Sequence, residues 1–500
     1  MDNTGLTEKN KTPKEQIEAL PCGYKKSVRE YDAEYVTDVL RGAELCSFMA
    51  PALNYRRREC YSVLKDYIFG PRQDKVFVLY GLRYTGKKTM IRQILADMDG
   101  EMLNRTAYIR LTEKNTMSDV YKDLRTLERN GYRYVFLDEV TLIEDFIDGA
   151  AVLSDVFAAS GMKIVLSGTD SLGFLFTEVQ QLYDRCIMLH TTFIPYREFE
   201  QVLGIKGIDE YIRYGGTMSV GGLNYNEDSP FAGSANAREY VDTAIAHNIR
   251  HSLRCYQQSG HFRKLQELYE RDELTSAIGR VIEDQTHSFM AEVLDQLEIN
   301  REDQTAVPEP AHAEDIREYL TLLDLTQNVD IVIMPGGEKI RRTVIAQPGL
   351  RYAQTTALIE SLLLDKEFFD LSITERNSIQ KRIISEIMGR MMEDAVLLET
   401  KLADHRKQVF IMQFAVREFD MVVFDPASSS CRIYEIKHST EIAPEQSHHL
   451  TDEEKCRMTE HRFGTITGRY VIYRGPDTEA GDVQYLNVER YLCSLGSTVK

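Results

Sequence analysis

Positive charge is in short supply in this 500-residue chain, where 60 Lys and Arg stand against 78 Asp and Glu for a formal net charge of −18. Such a balance gives no general electrostatic pull toward nucleic acid or an anionic membrane, so any DNA contact needs a local basic patch. Paired cysteines are lacking too. The eight present (22, 46, 60, 186, 255, 431, 456 and 493) form no CxxC and follow no regular spacing, which speaks for reduced thiols and against a disulfide framework or a zinc site. No long apolar run occurs. The nearest, 147–167, is interrupted by Asp148, Asp155 and Lys163 and is too polar to span a bilayer, so no membrane partner is expected. The opening MDNTGLTEKNKTPKEQ has no apolar centre; it is not expected to be a signal peptide, and the expected compartment is the cytoplasm. Internal repeats and low-complexity tracts are absent as well.

What remains is an ordinary globular composition, 43% hydrophobic and 28% charged, in a chain long enough for roughly three to four domains. Residues 1–54 read as an N-terminal extension, disordered to about residue 20, with helical spacing over 27–67. Within 55–205, apolar runs at Val76–Tyr80, Ala107–Leu111, Tyr134–Leu137, Ile164–Leu166 and Cys186–Leu189 alternate with helical stretches. That alternation predicts a parallel sheet covered on both faces. Residues 206–310 read as helical, broken by a Gly/Asn/Ser-rich loop over Gly215–Ala235. Over 311–380 a helix is followed by two β-rich runs around Pro335-Gly336-Gly337, the pattern of a winged-helix-like region. Residues 381–500 are α/β again, without a glycine-rich phosphate loop.

Gly81-Leu-Arg-Tyr-Thr-Gly86-Lys87 follows an apolar strand and opens a helix, the setting in which such a loop cradles phosphates. Gly81, Thr85 and Gly86 shape the cradle, and Lys87 is placed to reach the β/γ-phosphates of ATP. One position departs from the pattern. The residue after the lysine should offer a hydroxyl to Mg²⁺; here it is Lys88, and Thr89 follows about 100° further round the helix. Tyr134-Val-Phe-Leu-Asp138-Glu139 supplies the acidic partner, Asp138 for the metal and Glu139 to polarise an attacking water. Ser167 ends the next strand where a hydroxyl can approach the γ-phosphate, and Arg185 is a candidate phosphate-sensing arginine.

These residues carry a resemblance. The 75–199 stretch is similar to the AAA-type ATPase core of a bacterial and archaeal group whose members read GxRRxGKTT, LDEV and SGS/SGT in succession. Phe193-Ile-Pro-Tyr-Arg-Glu-Phe199, Tyr211-Ile-Arg-Tyr-Gly-Gly216 and Gln347-Pro-Gly-Leu-Arg351 resemble further segments of that family, with Met218 where a proline is usual. The resemblance implies an ATPase fold, ATP and Mg²⁺ as ligands, and the roles given for Lys87, Asp138 and Glu139.

The C-terminal region holds a second constellation: Glu393 on a helix, Asp420 in a strand, and Glu435-Ile-Lys437 at the end of the next strand. Alternation puts Glu435 and Lys437 on one face, and Asp420 joins them if the register allows. Two carboxylates and a lysine can hold Mg²⁺ and activate water against a phosphodiester. The spacing resembles the PD-(D/E)xK nuclease superfamily, which implies a restriction-endonuclease-like domain with Asp420 and Glu435 as metal ligands. His448-His449 lacks partners at metal-ligand spacing and reads as surface. Three readings stay open: a Mg²⁺-dependent ATPase coupled to the C-terminal domain, a nucleotide-gated switch with little turnover, and an ATP-regulated nuclease contacting DNA through its C-terminal region. Homo-oligomerisation is an expectation compatible with all three.

Overall fold

The computed structural model describes residues 35–71, 74–82, 85–143, 145–169, 182–204, 206–216, 313–322, 325–349 and 371–496, with a few single positions between them. Most of the 206–310 stretch, the 1–20 stretch and the Gly215–Ala235 loop apart from its first two residues therefore lie outside the described residues. The described residues divide into two compact units, the first ending at Thr192 and the second beginning at Phe193. The segment 193–199, expected with the first, packs with the second.

In the first unit, β1 (Asp38–Leu40), β2 (Val76–Gly81), β3 (Thr106–Arg110), β4 (Tyr134–Asp138), β5 (Lys163–Gly168) and β6 (Cys186–Thr191) form one sheet in the order β1-β3-β4-β5-β2-β6. All pairings but the β1 edge are parallel. Every residue of β2 and β5 is buried, as a parallel sheet covered on both faces requires. Helices α1 (Gly42–Met49), α2 (Tyr61–Phe69), α3 (Lys87–Asp97) and α4 (Met117–Arg129) accompany it. Helix α4 begins at a reciprocal Thr116–Asp119 capping box, which satisfies otherwise orphaned backbone donors. The helical reading of 27–67 fails at β1. The buried Asp123 carboxylate accepts from the Val36 and Thr37 amides at 3.0 and 2.8 Å and from the Thr37 hydroxyl at 2.6 Å, fixing the chain extended against β3.

The second unit carries an eight-stranded mixed sheet. Its strands are β7 (Thr326–Ile333), β8 (Glu338–Ile345), β9 (Gln408–Gln413), β10 (Glu418–Asp425), β11 (Ser430–Lys437), β12 (Thr465–Tyr473), β13 (Thr478–Ala480) and β14 (Val483–Asn487), ordered β13-β14-β12-β11-β10-β9-β7-β8. The expected hairpin exists as β7–β8 but makes no separate winged module, because β7 pairs in parallel with β9 and extends this sheet. Its helices are α5 (Ile208–Tyr214), α6 (Ala313–Leu322), α7 (Ile373–Ala403), α8 (Glu453–Phe463) and α9 (Val488–Ser494). Strand alternation sorts the core. Val409, Ile411, Met421 and Val423 cluster with Ile387 and Met391 of α7, whereas Phe410, Met412 and Val422 cluster with Cys456 and Phe463 of α8. The sheet is thus sandwiched between helices.

Candidate functional site

Gly81 leaves β2 at φ +132°, and a Cβ there would lie 2.2 Å from the Thr191 carbonyl oxygen, so only glycine fits. Gly86, at φ +92°, caps α3 in the left-handed region. Between them, the tip residues Arg83 and Tyr84 lie outside the described residues. Thr85 is buried; its hydroxyl donates to the Leu82 carbonyl at 2.8 Å and meets the Thr191 hydroxyl at 2.9 Å. Arg58, also buried, donates to the Thr85 carbonyl at 2.8 Å. The loop is thereby clamped from two sides. The Lys87 ammonium donates to the carbonyls of Gly81 (2.7 Å) and Leu82 (2.6 Å), which holds it at the loop where phosphate oxygens are contacted.

Asp138 ends β4 and is buried. One of its oxygens accepts from the Ser167 hydroxyl and the other from the Tyr108 phenol, and Lys88 pairs with it at 3.0 Å. Glu139 follows at φ +58°. That backbone is in the left-handed region, and the Thr169 hydroxyl donates to the Glu139 carboxylate at 3.4 Å. Burial, then the Asp138 charge, raises the Tyr108 phenol well above its ordinary range, so it stays a donor. Gly81, Thr85, Gly86, Lys87, Lys88, Asp138, Glu139 and Ser167 converge. Thr89, half-buried on α3, lies one step past Lys88.

Arg185 does not join them. Its carbonyl accepts from the Val76 amide while Gly81 faces Thr191, so it sits at the far end of β2, roughly 15–20 Å along the strand at ~3.3 Å per residue. Its guanidinium donates to Asp155 at 2.7 Å.

The donor set at this loop suits a nucleotide but not a divalent cation. Lys88 stands where a ligating hydroxyl is expected, and its ammonium pairs with Asp138 at 3.0 Å and has no lone pair to give.

The second unit gathers the other constellation. Met421 faces Tyr434 across β10–β11, which sets Asp420 opposite Glu435. Between Phe419 and Val422, β10 advances three residues while β9 advances two; such a bulge re-aims a side chain. The Lys437 ammonium contacts Glu435 at 2.9 Å and Asp420 at 3.3 Å, and the Ile436 amide donates to Asp420 at 2.7 Å. Glu393 of α7 lines the same cavity, about 860 Å³ in volume. Burial first, and the charge of Asp420 second, lift Glu393 well above the usual carboxylate range and Glu435 to about 7. At Lys437 burial acts downward, but Asp420, Glu435 and Glu393 outweigh it and hold the ammonium charged.

Here the donors do fit Mg²⁺. Asp420 and Glu435 offer hard oxygens, and Glu435 Oε2 is buried without a hydrogen-bond partner. Among the described residues no three His, Cys, Asp or Glu side chains form a chelating group by themselves, so water or backbone oxygens would complete the shell.

Several contributors escaped the sequence reading. Arg58, Tyr108 and Thr191 give no local signal, because their partners lie far off in the chain. In the second unit Asp394, buried between Arg342 (2.6 Å) and Arg351, anchors the stretch beside Glu393; Arg351 had drawn notice only as part of a resembling segment. Arg417 and the half-buried His449 also line the cavity, 2.7 Å apart, so His449 is not a plain surface residue. Among the described residues no helix is long and apolar enough to cross a membrane.

Residues 73–200 match the family model of the AAA domain, a span that holds the phosphate loop, Asp138 and Glu139. Among solved structures the chain is similar to the Aeropyrum pernix Orc1 protein in complex with DNA, at 14% identity over 63% of this chain and 94% of that one, with a TM-score of 0.23. It is also similar to C. elegans PCH-2, at 11% identity over 43% and 61% with a TM-score of 0.21. A katanin structure concerned with self-assembly is similar at 16% identity over 44% and 73%, again with a TM-score of 0.21. No curated protein matches the sequence. Likeness this slight says nothing of ligands or partners.

Proposed function

We propose that this protein binds and hydrolyses ATP in its first unit, with Lys87 on the β/γ-phosphates and Glu139 polarising the attacking water. The observation that carries the reading is the meeting of two distant motifs: the residue after Lys87 touches Asp138, fifty positions on, at 3.0 Å. The carboxylate next in line, Glu139, takes no part in that ion pair, which suits a water-orienting base. Phosphate release from ATP tests this. Glu139→Gln should keep nucleotide binding and lose turnover by about 10²–10⁴-fold, the ordinary worth of general-base catalysis; unchanged turnover would sink the assignment.

A second reading concerns the other unit: metal-dependent cleavage of a phosphodiester, with DNA as the substrate. Its support is the single ammonium of Lys437 bridging Asp420 and Glu435 beside a buried, unpartnered oxygen. Mg²⁺ held by the two carboxylates would supply the positive charge that makes a water nucleophilic. Lys437 would steady charge developing on the phosphate, and Glu393, held protonated by its surroundings, would hydrogen-bond rather than ligate. Incubation of plasmid DNA with protein and Mg²⁺ should give nicking that Asp420→Asn and Glu435→Gln abolish. Nicking that persists in both variants would assign it elsewhere.

Coupling of the two units would run along the chain. Thr191 meets Thr85 of the phosphate loop, and only one residue separates it from the segment at Phe193 that belongs to the second unit.

A further inference from the structure

We propose that the ammonium of Lys88 stands where a divalent cation would stand in this phosphate loop, so that the protein binds ATP without Mg²⁺. The inference rests on the nucleotide-binding reading and concerns what accompanies the nucleotide. The position directly after the loop lysine is where a Ser or Thr hydroxyl ligates Mg²⁺ in loops of this kind, and the acidic residue ending the neighbouring strand completes the metal's shell. Here the two positions are joined to each other. Lys88 Nζ lies 3.0 Å from Asp138 Oδ2, where a metal ion bridging them would otherwise carry the positive charge.

Three observations keep a divalent ion out. Asp138 already accepts from Ser167 on one oxygen and from Tyr108 and Lys88 on the other, so three of its roughly four acceptor positions are taken. Among the described residues no nearby hydroxyl replaces the missing ligand: Thr85 is turned to the Leu82 carbonyl and Thr191, Ser167 is turned to Asp138, and Thr89 lies about 100° away on α3. Finally, the Lys88 ammonium, 3.0 Å from the carboxylate, repels a doubly charged cation from it. Lys88 is also equipped for the substitute role. Its side chain is 47% exposed, so the amine reaches solvent and an entering phosphate. Three N–H donors allow it to keep Asp138 and still hydrogen-bond a phosphate oxygen. With Lys87 it brings two positive charges to the triphosphate, as a lysine and a metal do elsewhere.

Equilibrium titration of the full chain with a fluorescent ATP analogue, once in EDTA and once in millimolar MgCl₂, tests this. The two dissociation constants of the wild type should agree within about fivefold, which is ~1 kcal/mol. Lys88→Thr, which restores the hydroxyl, should weaken binding in EDTA by about tenfold or more and regain affinity on adding Mg²⁺. Lys88→Arg retains the charge beside Asp138 and should stay metal-independent, which keeps the test alive if the threonine variant unfolds. A wild type that binds more than about fivefold tighter with Mg²⁺ overturns the proposal, and so does a folded Lys88→Thr that behaves like wild type. Absence of binding by the wild type in both solutions would instead remove the nucleotide-binding reading itself.

Discussion

Glu399 on α7 is a buried carboxylate that accepts from the Tyr196 amide at 2.8 Å. Burial lifts its carboxyl to about 7, against the smaller downward pulls of Tyr211, Tyr196 and Arg197. Because the folded-state value lies above the unfolded one, the native protein binds the extra proton between about pH 4.5 and 7. This residue's contribution is therefore greatest below about pH 4.5 and is lost as pH rises through 7, a change of roughly 3 kcal/mol at most. Thermal unfolding across pH 4–8 should show the second unit losing stability over that window, and Glu399→Gln should flatten the decline. A slope unchanged by the substitution would place the titration elsewhere. Nothing in the local sequence marks Glu399, since its burial depends on Tyr196 and Tyr211, some two hundred positions earlier. Gly81, Gly86, Lys87 and Asp138 were legible because a phosphate loop is a local device: a strand, a tight turn and a helix start lie within a dozen residues. Tyr108 and Thr191, which complete the same site, belong to other strands and carry no mark of it.

At the scale of elements, the five parallel strands of the first unit were readable from apolar runs of the right length, each within one or two residues of its observed bounds. Strands buried on both faces need continuous hydrophobicity, and that pattern survives without knowledge of neighbours. The antiparallel edge β1 was not readable, because a three-residue strand leaves no periodicity and the Asp123 carboxylate that fixes Val36 and Thr37 before it lies 86 positions or more away. The hairpin β7–β8 was seen as a hairpin but given the wrong company. Its two strands are local, whereas the β7–β9 pairing joins Ile331 to Ile411 and could be chosen only by tertiary packing. The Asp420 bulge belongs to the same class. Alternation alone predicts that Glu435 and Lys437 share a face, but the extra residue in β10 decides whether Asp420 reaches them.

For the molecule as a whole, the net charge of −18 places the burden of any DNA contact on local cations. The second unit supplies some: Arg342, Arg390, Arg417 and Lys437 line the cavity that holds Glu393, Asp420 and Glu435. An acidic centre bounded by guanidinium groups is the arrangement expected where a metal and a phosphodiester meet. The first unit's loop lysine, Lys87, is folded over the carbonyls of its own loop. Direct calorimetric titration of ATP into wild type and Lys87→Ala therefore tests the central claim most plainly. Wild type should bind one ATP per chain, and the variant, with an unchanged unfolding temperature in the absence of nucleotide, should lose at least about a hundredfold in affinity, ~2.7 kcal/mol. Equal affinity in the two proteins would contradict the assignment of this loop.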